Sequence, residues 1–562
     1  MNVHVPVVLR PQVEARLRAF DEAAFGRRLW EYDATLWKST PEHIAIIDNS
    51  LGWLTVAEEV REQLPDLLAF AAETAADGLT DVVLLGMGGS SLAPEVMADA
   101  FGAAKGYLKL SVLDTTDSRA IAALEQRLDL ETTLFIVASK SGGTTETASL
   151  HAYFYDKMLA CEGHEMAGRH FIAITDEGTS LEQQALDQHF RAIFINSPDI
   201  GGRYSALSFF GLVPAALIGV DLDELLARAL AMAAECGADM PAAENPGLVF
   251  GAALGELAVA GRNKLTIVTS PGIGAFGAWA EQLVAESTGK EGTGILPVDL
   301  EPPAPPAAYG SDRAFVCVRL AAAADGAQEA AMMALEEAGL PVLRLTMEDV
   351  HDIGAQFFVW EVAVAAAGAV LGIDPFDQPN VQESKDNTRR VLAELAEHGE
   401  APLPTGVGGQ AVVFALGDDG LEPALHNLLA GLAAPDYVAL QAWLTPGAEA
   451  QRELGAVRTL LLEARHVATT AGFGPRFLHS TGQYHKGGPA QGVFIQLVSE
   501  AGPDLPVPGQ SYSFARLKHA QALGDLQALL AHGGRVLRVD IGADVLAGLA
   551  AFRQLLARVL AA

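Results

Sequence analysis

Hydrophobic positions along the chain follow two alternating patterns. Short apolar runs rich in β-branched residues (DVVLLGM, LKLSVLD, TLFIVAS, FIAIT and AIFIN) are separated by longer segments with helical spacing. Runs of this kind predict strands covered on both faces, and their alternation with helices predicts an α/β fold with parallel sheets. KLTIVTS, AFVCVRL and PVLRLTM continue the pattern, followed by AVVFALG, DYVALQAWL, GVFIQLV and RVLRVDIG. The expected organisation is a helical lead-in over 1–60, a first α/β unit over 61–240, a second over 241–400, and a C-terminal α/β module over 401–562. EPPAPPAAYG (301–310) reads as a proline-rich loop inside the second unit, and GEAPLPTGVGG (399–409) as a linker. RLWEYDATLWK (28–38) puts two tryptophans on an amphipathic stretch, the mark of a packing face.

A chain of 562 residues, half of them hydrophobic, is too long for one core and can bury several. No apolar run is expected to span a membrane, and the opening MNVHVPVVLRPQVEARL has no apolar core after a basic region. Cys161, Cys236 and Cys317 are far apart, with neither a disulfide framework nor metal-ligand spacing. A cytoplasmic location without metal or other cofactor is the expectation. The net charge of -33 argues against nucleic acid and anionic membranes as partners. Any anion site must then be built locally, from donors, helix ends and a few cations.

TLFIVASKSGGTTET (133–147) suits such a site. Gly142 and Gly143 let the backbone turn, Ser139, Ser141 and Thr144 offer hydroxyls, Lys140 a charge, and a helix opened by Thr144, Thr145 and Glu146 offers free N–H groups. An ordinary capped strand–turn–helix reads the same way. LLGMGGSSLAPEV (84–96) is a second such turn, without the Gly-Lys-Ser/Thr of a nucleotide P-loop. In SPDIGGRYSALSFFG (197–211), Arg203 sits on a tight turn, as a surface charge or as a cation aimed at developing negative charge. Glu286 closes an apolar helix in AWAEQLVAESTGKEGTGILPV (278–298), where a carboxylate is either solvated or a base with a raised pKa. Lys385 lies near a helix start in GIDPFDQPNVQESKDNTRRVL, and His479 precedes a polar turn in RFLHSTGQYHKGGP. A histidine there is either structural or a proton shuttle.

Taken together, LLGMGGSS, ASKSGGTTET, GGRYS, AESTGK, FDQPNVQESK and LHSTGQ resemble the glucose-6-phosphate isomerase family. RLW, DATLW and the extended tail resemble the isomerase half of fused transaldolase–isomerase proteins. The resemblance implies two sugar-isomerase (SIS) domains, each a three-layer α/β/α unit, with the active site between them. It implies a phosphosugar substrate held by Ser139, Lys140, Ser141 and Thr144, with Gly89 and Ser90 touching the sugar. Arg203 would stabilise an enediolate, Glu286 would move the proton between C1 and C2, and Lys385 and His479 would assist ring opening. One departure stands out. The family's histidine motif lies between the glutamate and lysine motifs, where this chain reads YGSDRAFVCVRL with Arg313; its best match, at His479, lies in the tail, and His485 is a second candidate there. The implied reaction is glucose 6-phosphate to fructose 6-phosphate isomerisation, with mannose 6-phosphate activity or a non-catalytic phosphosugar-binding regulator as alternatives. A homodimer is the default assembly.

Overall fold

A computed structural model describes residues 3–399, 401–406, 410–499 and 502–562, except the side chains of Val381, Gln382, Ser384 and Lys385. Among these residues the strands form three sheets. The first contains β1 (Asp81–Leu85), β2 (Lys109–Leu113), β3 (Thr133–Ala138), β4 (Phe171–Asp176) and β5 (Ala192–Asn196), in the order β2-β1-β3-β4-β5. The second contains β6 (Lys264–Thr269), β7 (Leu296–Val298), β8 (Arg313–Leu320) and β9 (Val342–Met347), in the order β7-β6-β8-β9. The third contains β10 (Val413–Ala415), β11 (Tyr437–Trp443), β12 (Ala468–Phe473), β13 (Gly492–Val498) and β14 (Arg535–Asp540), in the order β10-β14-β13-β11-β12. Every strand pairing is parallel.

The apolar runs form strands because both faces of each sheet are covered. Val82, Leu84, Leu134, Ile136, Ile172 and Ile174 enter one core, and the alternate residues Val83, Leu85, Phe135, Val137, Phe171 and Ala173 enter another. The first of these cores continues without a break into the second sheet through Leu265, Ile267, Val316 and Leu343. The third sheet has its own core on one face. On the other, Tyr437, Ala439, Phe494 and Val536 pack with Ala285, Leu296 and Val298 of the second unit.

Two strands have no counterpart among the apolar runs. β7 is three residues long, and β12 (ATTAGF) is an edge strand of small and polar residues that pairs with β11 alone. A further difference concerns apolar length. Residues 350–371 are long and apolar enough to cross a membrane, contrary to the expectation from sequence, yet 89% of the most apolar 18-residue stretch among them is buried in the protein. Apart from Gln356 and Glu361, the Ile353–Leu371 helix within this segment is apolar all round, because it runs through the core shared by the first two sheets. The lead-in packs as expected: the Trp30 indole donates to the Cys236 carbonyl at 2.8 Å and that of Trp37 to the Ala365 carbonyl at 2.7 Å. Residues 400 and 407–409 of the expected linker lie outside the described residues.

The strand order fixes where a ligand fits. In the first sheet the chain leaves β1 toward one edge and β3 toward the other. The crevice beyond their carboxyl ends is a topological switch point, the usual binding place in open α/β sheets. The loops at that crevice are the two glycine-rich turns.

Candidate active site

After β1, Gly88–Ser90 form a 3-10 turn and the Leu92–Phe101 helix begins. A Cβ on Gly89 would overlap the Gly202 carbonyl, so this turn lies backbone to backbone against the next glycine-rich turn, Gly202–Tyr204. Only glycine permits that approach. The contact sets Arg203, which is buried. Its Nε donates to Ser287 Oγ (2.7 Å), one terminal nitrogen to the carbonyls of Pro375 (2.6 Å) and Asp377 (3.0 Å), and the other to Gln378 Oε1 (3.1 Å). That second nitrogen stands 3.6 Å from Glu286 Oε2. Four anchors fix the planar guanidinium, as a lysine's single ammonium could not be fixed.

Glu286 lies in the last turn of the Phe276–Thr288 helix and is buried. Burial pushes its carboxyl above the ordinary value, while Arg203 and the Gln282 amide (3.4 Å) pull it back. The loop that holds Arg203 is itself braced. Lys290, from the same AESTGK stretch, places its ammonium 2.6 Å from Asp377 Oδ1, and His43 Nδ1 lies 2.9 Å from Asp374 Oδ2. Burial lowers Lys290 to about 8, with Arg203 adding to the effect.

His479 arrives from the third sheet, on the Arg476–His479 turn just after β12. Its Nε2 is 3.1 Å from Glu146 Oε1, in the first turn of the Thr145–Glu162 helix. Among the described residues its Nδ1 makes no hydrogen bond. A Cβ on Gly88 would stand 2.8 Å from the Gln282 amide nitrogen and 3.0 Å from the His479 carbonyl oxygen. The first turn, the glutamate helix and the histidine turn therefore meet at Gly88. His479 is close enough for its charge to favour the ionised forms of Glu286 and Asp114. Asp114 is raised to about 6 by burial; Ser91 Oγ donates to it at 3.3 Å, and Arg476 Nε lies 3.2 Å away.

His485 and Arg313 lie elsewhere. His485 is enclosed by the rings of Tyr437, Phe477 and Phe494, and burial lowers it to about 3. Arg313 is bound to Glu301 (3.0 Å) at the start of β8. Lys385 belongs to the Pro379–His398 helix, but its side chain lies outside the described residues.

In the turn after β3, Ser139 and Thr144 hydroxyls are 3.0 Å apart, Gly142 takes φ +66°, and the Gly143 N–H donates to Ser141 Oγ at 3.4 Å. No side chain caps the following helix, so its first N–H groups remain as anion donors. Lys140 is the exception to the expected cluster. Its ammonium is held at the end of β4 and beyond, by Asp176 Oδ2 (2.6 Å) and the Pro198 carbonyl (2.7 Å). Sequence reasoning missed Glu146, Gln282, Gln378 and Asp114. Glu146 stood inside the quoted turn; the signal for it was a carboxylate in a helix's first turn, where a simpler role in the helix dipole hides it.

The model of the phosphoglucose isomerase family matches residues 56–294, a stretch that carries both glycine-rich turns, Arg203 and Glu286. Glucose-6-phosphate isomerase of Symbiobacterium thermophilum is 30% identical over 391 residues, covering 61% of this chain and 87% of that protein. The chain belongs to the phosphoglucose isomerase family. Among solved structures, a hypothetical protein of Thermus thermophilus aligns with TM-score 0.60 and 25% identity, over 70% of this chain and all (100%) of that one. A glucose-6-phosphate isomerase of Chlamydia trachomatis shares the fold, with TM-score 0.51 and 20% identity over 66% of this chain and 78% of that one. His479 lies outside the matched stretch, on the turn after β12 of the third sheet.

Proposed function

We propose that the protein is an aldose–ketose isomerase interconverting glucose 6-phosphate and fructose 6-phosphate through an enediol. The observation that carries this reading is the buried Arg203–Glu286 pair at 3.6 Å, beside a glycine-rich anion turn and a carboxylate-held histidine. His479 would give its proton to the ring oxygen as the bond from that oxygen to C1 breaks and the C1 hydroxyl gives its own proton to solvent water. Glu286 would then take the proton from C2, the pair left behind forming the C1–C2 double bond while the C1 carbonyl pair moves onto O1; a proton passes from O2 to O1, and Glu286 returns its proton to C1 as the C2 carbonyl forms. Arg203 would stabilise the negative oxygen in between. Ser139, Ser141, Thr144 and the free N–H groups of the Thr145–Glu162 helix would hold the phosphate, with Lys140 acting from Asp176 or exchanging that partner for phosphate. Gly89 and Ser90 would touch the sugar, and Lys385 would assist ring opening.

The same reading divides the chain at 60, 240 and 400, a division supported by three sheets, one in each unit after the lead-in. RLW, DATLW and the tail support kinship with the isomerase half of fused transaldolase–isomerase proteins. A homodimer remains our assignment for the assembly, in the cytoplasm, although His479 reaches this site within one chain. The test is isomerisation in deuterated water with each hexose phosphate. We expect interconversion of the glucose and fructose esters with deuterium entering at C2 of the glucose ester and C1 of the fructose ester. Binding without exchange would identify a phosphosugar-sensing protein, and equal turnover of mannose 6-phosphate a broader isomerase.

A further inference from the structure

The tail contributes a second side chain to the site. Gln521, on the Phe514–Ala531 helix, donates from Nε2 to Glu146 Oε1 at 2.7 Å and accepts at Oε1 from the Thr116 hydroxyl at 2.7 Å. Both partners belong to the first unit, and all three side chains are buried. The arrangement orients the amide without ambiguity, because a carboxylate only accepts and Thr116 here donates. Glu146 Oε1 therefore receives two donors, the Gln521 amide and the His479 ring nitrogen at 3.1 Å. The amide donor helps to fix the carboxylate oxygen that meets the imidazole. The imidazole is then turned so that Nδ1 carries no protein hydrogen bond among the described residues.

We propose that Gln521 is a positioning residue for ring opening: with Thr116 it holds Glu146 so that Glu146 orients His479 toward the sugar ring oxygen. This rests on His479 acting as the ring-opening acid. The consequence is selective. Loss of the Gln521 amide slows reaction of cyclic hexose phosphates, leaves their affinity nearly unchanged, and has little effect on an acyclic analogue that needs no ring opening.

Three variants of the full chain test this: Gln521→Leu, Gln521→Glu and His479→Asn. Gln521→Leu should lower kcat on cyclic substrate by about tenfold with KM within about twofold, a partial loss beside the full effect of removing a general acid. Gln521→Glu sets two carboxyl groups at hydrogen-bond distance, where one stays protonated well above the usual range. It should therefore act like wild type while the pair keeps one proton and fall to the Leu level as pH rises. Equal losses on cyclic and acyclic substrates, or a Glu variant with the wild-type pH profile, would overturn the proposal. Should the Leu variant fail to fold, the pH profile of the Glu variant decides alone. His479→Asn separates the two levels. If it slows only the cyclic substrate while the Gln521 variants do not, the positioning role fails and the ring-opening role stands. If it affects both substrates alike, the ring-opening role fails and Gln521 with it.

Discussion

Glu281 and Glu286 stand five positions apart on one helix and meet different surroundings. Glu286 faces Arg203. Glu281 lines a cavity of about 220 Å³ with Glu95, Asp299, Arg476 and Ser480, and accepts weakly from Ser480 Oγ at 3.4 Å. Burial, reinforced by Asp299, raises Glu281 to about 8, and burial raises Asp299 to about 7. Of the two, Glu286 is the one with the Arg203 guanidinium beside it, the cation that an enediolate needs next to its base. Glu286→Gln should keep phosphosugar affinity and lower kcat by on the order of 10²–10⁴-fold, the usual effect of losing a general base. Steady-state kinetics with an inhibitor-binding control check it, and near-wild-type turnover would remove Glu286 from the chemistry. Because the ionised form is the base and its pKa is raised, wild-type kcat/KM should fall on the acid side through that raised value.

The Glu281 cavity makes a separate prediction about stability. A carboxyl raised to about 8 when folded binds its proton more tightly than in the unfolded chain, so folding stability falls as pH rises from the ordinary value toward 8. Glu281→Gln removes that dependence. Its melting temperature should gain on wild type at pH 8.5 and differ little at pH 5. A difference that is the same at both values would show that the burial of charge at Glu281 is not felt.

At the scale of elements, the site depends on turns touching turns. Gly89→Ala must part the Gly88–Ser90 turn from Gly202, and the displaced backbone carries Arg203 away from its carbonyl partners. We expect kcat to drop more than tenfold, since misplacement of about 1 Å costs about 10²-fold in such sites. A crystal structure of the variant with Arg203 unmoved would refute the coupling. In the turn after β3, Ser141→Ala with Thr144→Ala should mainly raise KM, because hydroxyls on a non-reacting phosphate bind ground state and transition state alike. Unchanged inhibition by a phosphosugar analogue would count against that anchor. These elements were partly legible beforehand. The glycine spacing in GMGGSS, SGGTT and IGGRYS marked turns; Gly88 and Gly142 take positive φ, and Gly89 has no room for a Cβ. The contact between the first and third of these turns was not legible, because nothing local to either turn names its neighbour.

At the scale of the molecule, the tail shares a core with the second unit, and under the proposed reading it also takes part in the chemistry. Tyr437, Phe494 and Val536 of the third sheet share a core with Ala285 and Leu296, which flank Glu286 in sequence. Ending the chain near residue 400 would expose that face and remove His479 and Gln521. The expected product is poorly soluble and inactive on cyclic hexose phosphates. A soluble truncation with full activity would exclude the third sheet from catalysis. His479→Asn in the intact chain isolates the chemical part: turnover of cyclic substrate should fall further than that of an open-chain analogue.

By itself the sequence determined the strands, since a strand buried on both faces must be apolar throughout, and such runs stand out against amphipathic helices. It determined where the glycine-rich turns lie, and, through the order of its motifs, the family. It left β12 unseen, because an edge strand of ATTAGF takes its stability from pairing with β11 and its packing more than from its own hydrophobicity. The tertiary structure alone decided that β12 delivers His479 to Glu146, that Lys140 rests on Asp176, and that Gln521 reaches across from the tail. Each depends on which of several possible partners a polar side chain meets. That choice is made by the packing of sheets hundreds of residues apart, whereas the apolar pattern of any segment reports only whether it is buried.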